Sequence, residues 1–281
     1  MRLDVEHPET GPAERDFYRP RFRVKCFLRA DRWFNRLVNL ERALHKGFWL
    51  GCLSPDDFNV ITAEAYKTSQ HLASAEHIQS GLLDWESCLV GRHFPKGSRI
   101  LVAAAGAGRE VLALRKAGFS AEGFECNLRL LSAAQKAFEE ARESSFVAFC
   151  PPDTVPPGPQ IYDGLLVGWG GYTHIPARVR RIAFLRALRL RALPQAPIML
   201  SFFTRDGYSR YDAISYHTAK VFRILSRAGG EALEPGDDLD WSQYVHRFLP
   251  SEVEQELKTA GFRIVHYKEE GGAGQAVAIA E

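Results

Sequence analysis

Several absences narrow the chain first. Its five cysteines (Cys26, Cys52, Cys88, Cys126, Cys150) are scattered, odd in number and never spaced as CxxC. That argues against a disulfide framework or a cysteine-based zinc site and suits a reducing compartment. The nine histidines show neither HxxxH nor HExxH spacing, so no metal is expected. No GxxxxGK[ST] occurs, which excludes a P-loop. No apolar run approaches the roughly 20 residues of a membrane span. The opening MRLDVEHPETGPAERD lacks the apolar centre of a signal peptide. A cytoplasmic protein with no membrane partner is the expectation. Charge of one sign is also missing: the net is +2 over 281 residues, so no whole-protein field points at nucleic acid. Two stretches are locally basic, Arg19 to Arg36 and Arg178 to Arg191. They read as solvated faces rather than phosphate-binding patches.

What is present is ordinary globular material, 46% apolar and 25% charged. Residues 1 to about 18, with Pro8, Gly11 and Pro12, read as a loose polar arm. RFRVKCFL is a possible strand. From Asp31 the spacing is helical, with Trp33, Phe34, Leu37, Val38, Leu40 and Leu44 in one stripe. Ser54, Pro55 and Asp57 spell a helix start, and one further helix is expected through AEHIQSGLLDWESCLVGRHF. After Gly97 the rhythm changes. RILVAAA, FSAEGFE, SFVAFC, YDGLLVGW and APIMLSFF read as strands, with helices between most of them. Apolar strands alternating with helices mean a parallel sheet covered on both faces. A mostly polar insertion runs from Thr204 to about Val245. SEVEQELKTAG then suggests a helix with a Ser251/Glu254 capping box and a stop at Gly261. FRIVHY and QAVAIA close the chain, and the short link between them requires antiparallel pairing.

The stretch ILVAAAGAGRE, Ile100 to Glu110, is the most informative. A strand end stripped to alanine and glycine lets a ligand approach the backbone, and the next helix presents its amides to it. Glu125 ends the following strand, seventeen residues after Gly108, where a carboxylate can take both hydroxyls of a ribose. The dinucleotide fingerprint GxGxxG is incomplete, because Val111 stands at its third glycine. A pyrophosphate site is therefore disfavoured.

With those residues in place, the chain from about Pro95 to Glu281 resembles the class I S-adenosylmethionine-dependent methyltransferases. LVAAAGAG lies on the family's first motif, with Ala104, Gly106 and Gly108 at its glycine places. The resemblance implies a Rossmann-like α/β fold, a seven-stranded mostly parallel sheet with an antiparallel last strand and helices on both faces. It divides the chain into an arm and helical cap over 1–94 and a methyltransferase domain over 95–281 with the insertion at about 204–245. It implies S-adenosylmethionine as cofactor and S-adenosylhomocysteine as product. Glu125 falls on the family's ribose-binding acid, with Cys126 and Asn127 beside it, and Asp153 in PPDTVP falls on the loop that meets the adenine. Gly168 begins the exit loop of the fourth strand. Val102 replaces the family's acid and Ala104 its first glycine, so the methionine end of the cofactor is to be held by Glu110 or by the helical N-terminal part.

In GWGGYTHIP, His174 and Tyr172 are the catalytic candidates, and Trp169 offers a surface to the substrate. His174 serves equally well as a helix cap. Tyr66 is either a cofactor-covering residue or a packing tyrosine. Tyr208, Tyr211 and His217 in the insertion are the remaining substrate candidates, and Tyr211 reads as pocket lining or as an anchor. The expected partner is a small organic acceptor, with no nucleic acid and with homo-oligomerisation left open. Two other readings stand beside this one: a non-catalytic cofactor-binding protein, motivated by Val102 and Ala104, and a nicotinamide-dependent oxidoreductase. A nucleic-acid methyltransferase is the substrate-level alternative, resting on the basic stretches.

Overall fold

The computed structural model describes residues 21–281 except Ser145 and Gly229; the arm expected over 1–18 lies outside them. Helix α1 spans Phe22–Cys52 and absorbs the RFRVKCFL segment expected as a strand. The reason is spacing. Phe22, Cys26, Ala30, Trp33, Leu37, Leu40 and Leu44 recur every three or four residues, and this long stripe outweighs a brief alternation. Helix α2 (Pro55–Thr68) starts as its sequence indicates: the Asp57 amide donates to Ser54 Oγ and the Ser54 amide to Asp57 Oδ2. The single helix expected next is two, α3 (Ala75–Gln79) and α4 (Asp84–His93). The break falls at Gly81, whose φ of +86° no helix accommodates.

The rest alternates. The elements are β1 (Arg99–Ala103), α5 (Arg109–Lys116), β2 (Ser120–Glu125), α6 (Leu128–Glu140), β3 (Val147–Phe149), β4 (Gly164–Val167), α7 (Arg178–Arg189) and β5 (Pro197–Phe203). The insertion contributes α8 (Arg210–Ser226) and a hairpin, β6 (Asp237–Asp240) with β7 (Gln243–His246). Helix α9 (Pro250–Thr259), β8 (Phe262–Glu270) and β9 (Ala273–Ala280) end the chain. The cap of α9 is two positions away from expectation. The Leu249 amide donates to Glu252 Oε2 at 2.7 Å, with Pro250 in the first turn; Ser251 and Glu254 lie inside the helix and form no box.

Seven strands make one sheet in the order β3-β2-β1-β4-β5-β9-β8. Six run parallel and β9 runs antiparallel between β5 and β8. Side-chain alternation explains why the strands are apolar throughout. Leu101 and Ala103 enter the core under α7 and α9, whereas Ile100 and Val102 enter the core under α5 and α6. Val102 is thus sealed in the sheet. The strand order reverses at β1 and β4, so the loops leaving these two strands diverge and open a crevice at their carboxyl ends.

The insertion packs against the N-terminal helices. Gly47 and Gly51 let α1 and α8 meet backbone to backbone: a methyl on either would lie 2.4 or 2.5 Å from the carbonyl of Ser215 or Ala219. Phe58 of α2 stacks on Tyr244 of β7 at 4.8 Å. The helices and hairpin therefore form a joined layer on the crevice side. Among the described residues no helix is long and apolar enough to cross a membrane.

Candidate active site

The crevice is a cavity of about 550 Å3, walled by the loops after β1 to β5 and covered by α2, the Leu72 to Leu83 segment and the hairpin tip. Its floor is the bare strand end. Ala104, Gly106 and Gly108 all have positive φ (+50°, +56°, +84°). They do different work. A methyl on Gly106 would meet nothing within 4 Å, so that backbone faces open space. A methyl on Gly108 would strike the Phe138 ring at 2.8 Å, so the bare Gly108 lets the loop pack against α6, and it does not line the cavity. The α-carbon of Gly168 is pressed against the Ala104 carbonyl, where a methyl would lie at 2.2 Å. It lets the two exit loops touch, and it does not line the cavity. The Ala104 methyl, the family's missing glycine, is accommodated by Gly171, where a second methyl would lie only 2.7 Å away.

Glu125 is buried at the end of β2 and aimed at the wall. Its Oε2 accepts from the Gly106 amide at 2.8 Å and its Oε1 from the Asn127 amide at 2.7 Å. Asn127 caps α6 through Oδ1 and donates from Nδ2 to the Ala63 carbonyl of α2. Cys126 opens into the cavity, and its thiol is pushed up to about 12 by desolvation and by the Glu125 charge. It stays protonated and is no nucleophile. Asp153, at φ +59°, accepts from Asn59 Nδ2 at 2.8 Å and from Arg180 Nη1 at 3.3 Å, which ties the loop after β3 to α2 and α7. Burial raises its pKa, and those two donors oppose the rise.

At the other end of the floor lies a buried triad. Arg109 makes a bidentate pair with Glu86 (2.8 and 2.9 Å) and also donates to Glu110 Oε1 at 2.6 Å. The Trp169 amide points at that same oxygen from 3.4 Å. Desolvation raises the pKa of Glu110, the Glu86 charge adds to it and Arg109 opposes it. Two carboxylates and one guanidinium leave a net negative charge, with Arg109 and Glu110 on the cavity wall. The Glu86–Arg109 pair carries no sequence signal, since nothing in local spacing links residues 23 apart.

Tyr66 and His174 meet across the cavity. His174 Nδ1 lies 2.8 Å from the Tyr244 carbonyl, an acceptor only, so Nδ1 carries the hydrogen. Nε2 is then free to accept from the Tyr66 hydroxyl at 3.0 Å. Desolvation lowers the pKa of His174, so the ring is neutral, and desolvation raises that of Tyr66. Tyr172 does not join them. Its ring is fully buried and stacked on Phe248 at 5.2 Å, and its hydroxyl donates to Glu256, which also holds the buried Arg181. It belongs to the core and not to the reacting surface.

The substrate candidates divide. Trp169 lines the cavity, together with Phe203, Trp241 and Gln243, which the sequence did not single out. Tyr208 and Tyr211 line a separate cleft of about 270 Å3 between α1, α8 and the hairpin, beside Lys46, Arg205 and Arg247. His217 packs on Tyr216 at 5.7 Å and lines neither. Glu234, Asp237 and His246 come together under the hairpin. Their atoms already hold one another and Arg181: Asp237 Oδ1 accepts from His246 Nδ1 at 2.7 Å, and Glu234 Oε2 accepts from Arg181 at 2.9 Å.

No family model and no curated protein matches the chain. Solved structures do. A 1,6-didemethyltoxoflavin-N1-methyltransferase from Burkholderia thailandensis, with its substrate and S-adenosylhomocysteine bound, matches with a TM-score of 0.56 at 16% identity, over 81% of this chain and 91% of that one. A S-adenosylmethionine-dependent methyltransferase from Methanosarcina mazei matches at 0.53 and 16%, over 71% and 98%. CalS10 of Micromonospora echinaspora, an amino pentose methyltransferase with S-adenosylmethionine bound, matches at 0.51 and 15%, over 77% and 96%. The chain has the fold of the class I S-adenosylmethionine-dependent methyltransferases.

Proposed function

We propose that the protein transfers a methyl group from S-adenosylmethionine to a small organic acceptor. The observation that carries this reading is the convergence of Glu125, the open Gly106 backbone, the Glu86–Arg109–Glu110 triad and the Tyr66–His174 pair on one cavity. The donor set fits the cofactor. Glu125 offers two carboxylate oxygens to a vicinal diol. Glu110, in a triad with one negative charge in excess, suits an ammonium, and Arg109 suits a carboxylate. Cys126, Asp153 and Leu130 wall the far end, where a purine would lie. When bound, the cofactor supplies an electrophilic methyl on a sulfonium sulfur.

The chain's own residues supply alignment, dryness and a proton acceptor. Holding two reactants in line is worth as much as roughly 7–11 kcal/mol in favourable cases. Helix α2 and the segment before Pro95 act as the cap that excludes water, with Tyr66 on its inner face. His174 Nε2 is where a proton leaving an acceptor hydroxyl is taken up, once that hydroxyl displaces Tyr66 from it. The Tyr244 carbonyl keeps Nδ1 protonated and so keeps Nε2 basic. An acceptor whose nucleophile carries no proton needs no such base.

Val102 and Ala104 favour a second reading, a protein that binds the cofactor without turnover. Incubation with methyl-tritiated S-adenosylmethionine and a panel of phenols, heteroaromatic amines and amino sugars separates the two. Label transferred to any acceptor, lost in His174→Ala for hydroxyl acceptors, supports the enzyme. Tight cofactor binding with no transfer across the panel supports the binder.

A further inference from the structure

The tip of the β6–β7 hairpin violates its own turn chemistry. Asp240 pairs with Gln243, so Trp241 and Ser242 alone make the loop. Both have positive φ, +48° and +61°. Two-residue hairpin loops with this backbone favour Asn-Gly or Gly-Gly, and a bulky residue there is an outlier. Burial does not compensate, since Trp241 is 68% exposed. Its ring lies instead at the cavity mouth, 6.3 Å from Phe203 and nearly perpendicular to it. Phe203 in turn meets Trp169 at 5.6 Å, also edge to face. Backbone strain that places an exposed ring over a cavity is characteristic of ligand clamps.

We propose that Trp169, Phe203 and Trp241 form the acceptor-recognition surface, and that the acceptor is a planar aromatic or heteroaromatic molecule stacked on the uncovered tryptophan faces. This rests on the methyltransferase reading. Three observations carry it. The edge-to-face array leaves the tryptophans half or more exposed, as a stacking platform requires. Gly170, Gly171, Gln243 and the neutral His174 line the cavity beside them; the Arg247 guanidinium, 5.8 Å from the Phe203 centroid, is held by Asp240, and Glu110, whose Oε1 lies 3.4 Å from the Trp169 amide, is paired with Arg109. A phosphorylated acceptor therefore has no free counter-charge there. Finally, the hairpin that carries Trp241 also supplies the Tyr244 carbonyl that fixes His174. Ring recognition and proton acceptance are built on one element, so a ring stacked at the tip presents its edge toward Nε2.

The test uses the full chain saturated with S-adenosylhomocysteine and titrated with 1-naphthol, quinolin-4-ol, cyclohexanol and methyl glucoside, followed by calorimetry and tryptophan fluorescence. The expected result is binding of the two flat probes at least tenfold tighter than the saturated or sugar probes. A Trp241→Asn/Ser242→Gly double variant, which suits the turn, is expected to melt a few degrees higher and keep its S-adenosylhomocysteine affinity within twofold. It is also expected to bind 1-naphthol about tenfold more weakly. Equal binding of flat and saturated probes, preference for methyl glucoside, or undiminished 1-naphthol affinity in the double variant overturns the proposal while leaving the methyltransferase reading intact. Failure of S-adenosylhomocysteine itself to bind overturns both.

Discussion

Ala104 shows what one methyl group does at this site. At φ +50° an L-residue is about 1–2 kcal/mol less stable than in the right-handed region, and glycine is not. Ala104→Gly is expected to raise unfolding stability by about 1 kcal/mol, with S-adenosylhomocysteine affinity unchanged, because the alanine methyl rests on Gly171. Chemical denaturation beside calorimetry checks both halves. Arg109 is the opposite case. Arg109→Met leaves Glu86 and Glu110 buried without their partner, and a loss of about 3–5 kcal/mol is expected in the same denaturation assay. These residues also mark how far the sequence was legible. Glu125 was readable because strand, glycine turn, helix and strand fix its distance from Gly106. The Glu86–Arg109 pair was not, because it joins α4 to α5 through space. Tyr172 misled because its neighbours Gly170, Gly171 and His174 do face the cavity, whereas a 3-10 turn over Gly171–His174 rotates its ring into the core.

At the scale of elements, the strands and their flanking helices were legible because burial on both faces imposes long apolar runs. The misread elements share a cause: local pattern competing with a longer one or with a single backbone constraint. RFRVKCFL alternates briefly inside a 31-residue helix. Gly81 breaks a periodic segment that otherwise continues, and Pro250 moves the cap of α9. The insertion hid a 17-residue helix because only one side of it is packed. That packing yields a prediction with a decisive sign. Gly→Ala on an exposed helix gains about 1 kcal/mol. Gly51→Ala instead drives a methyl to 2.5 Å from a backbone carbonyl of α8, and is expected to cost about 1–3 kcal/mol in thermal or urea unfolding.

Among the described residues of the whole molecule, four histidines (His77, His93, His174 and His266) have pKa values lowered, in each case first by desolvation. The unfolded chain takes up these protons near the ordinary histidine value of about 6.5, and the folded protein does so only at lower pH. In that window the unfolded state binds more protons, so stability falls as pH falls. The melting temperature is expected to decline below about pH 6.5, with His174→Gln flattening part of the decline.

The central claim is that the strand-end cavity holds the cofactor through Glu125, and calorimetric titration with S-adenosylhomocysteine tests it most directly. The account predicts micromolar binding by the unaltered protein, weakened roughly 10–100-fold in Glu125→Gln through the loss of charge-assisted hydrogen bonds. Absence of binding by the folded protein, or equal affinity in the variant, contradicts it.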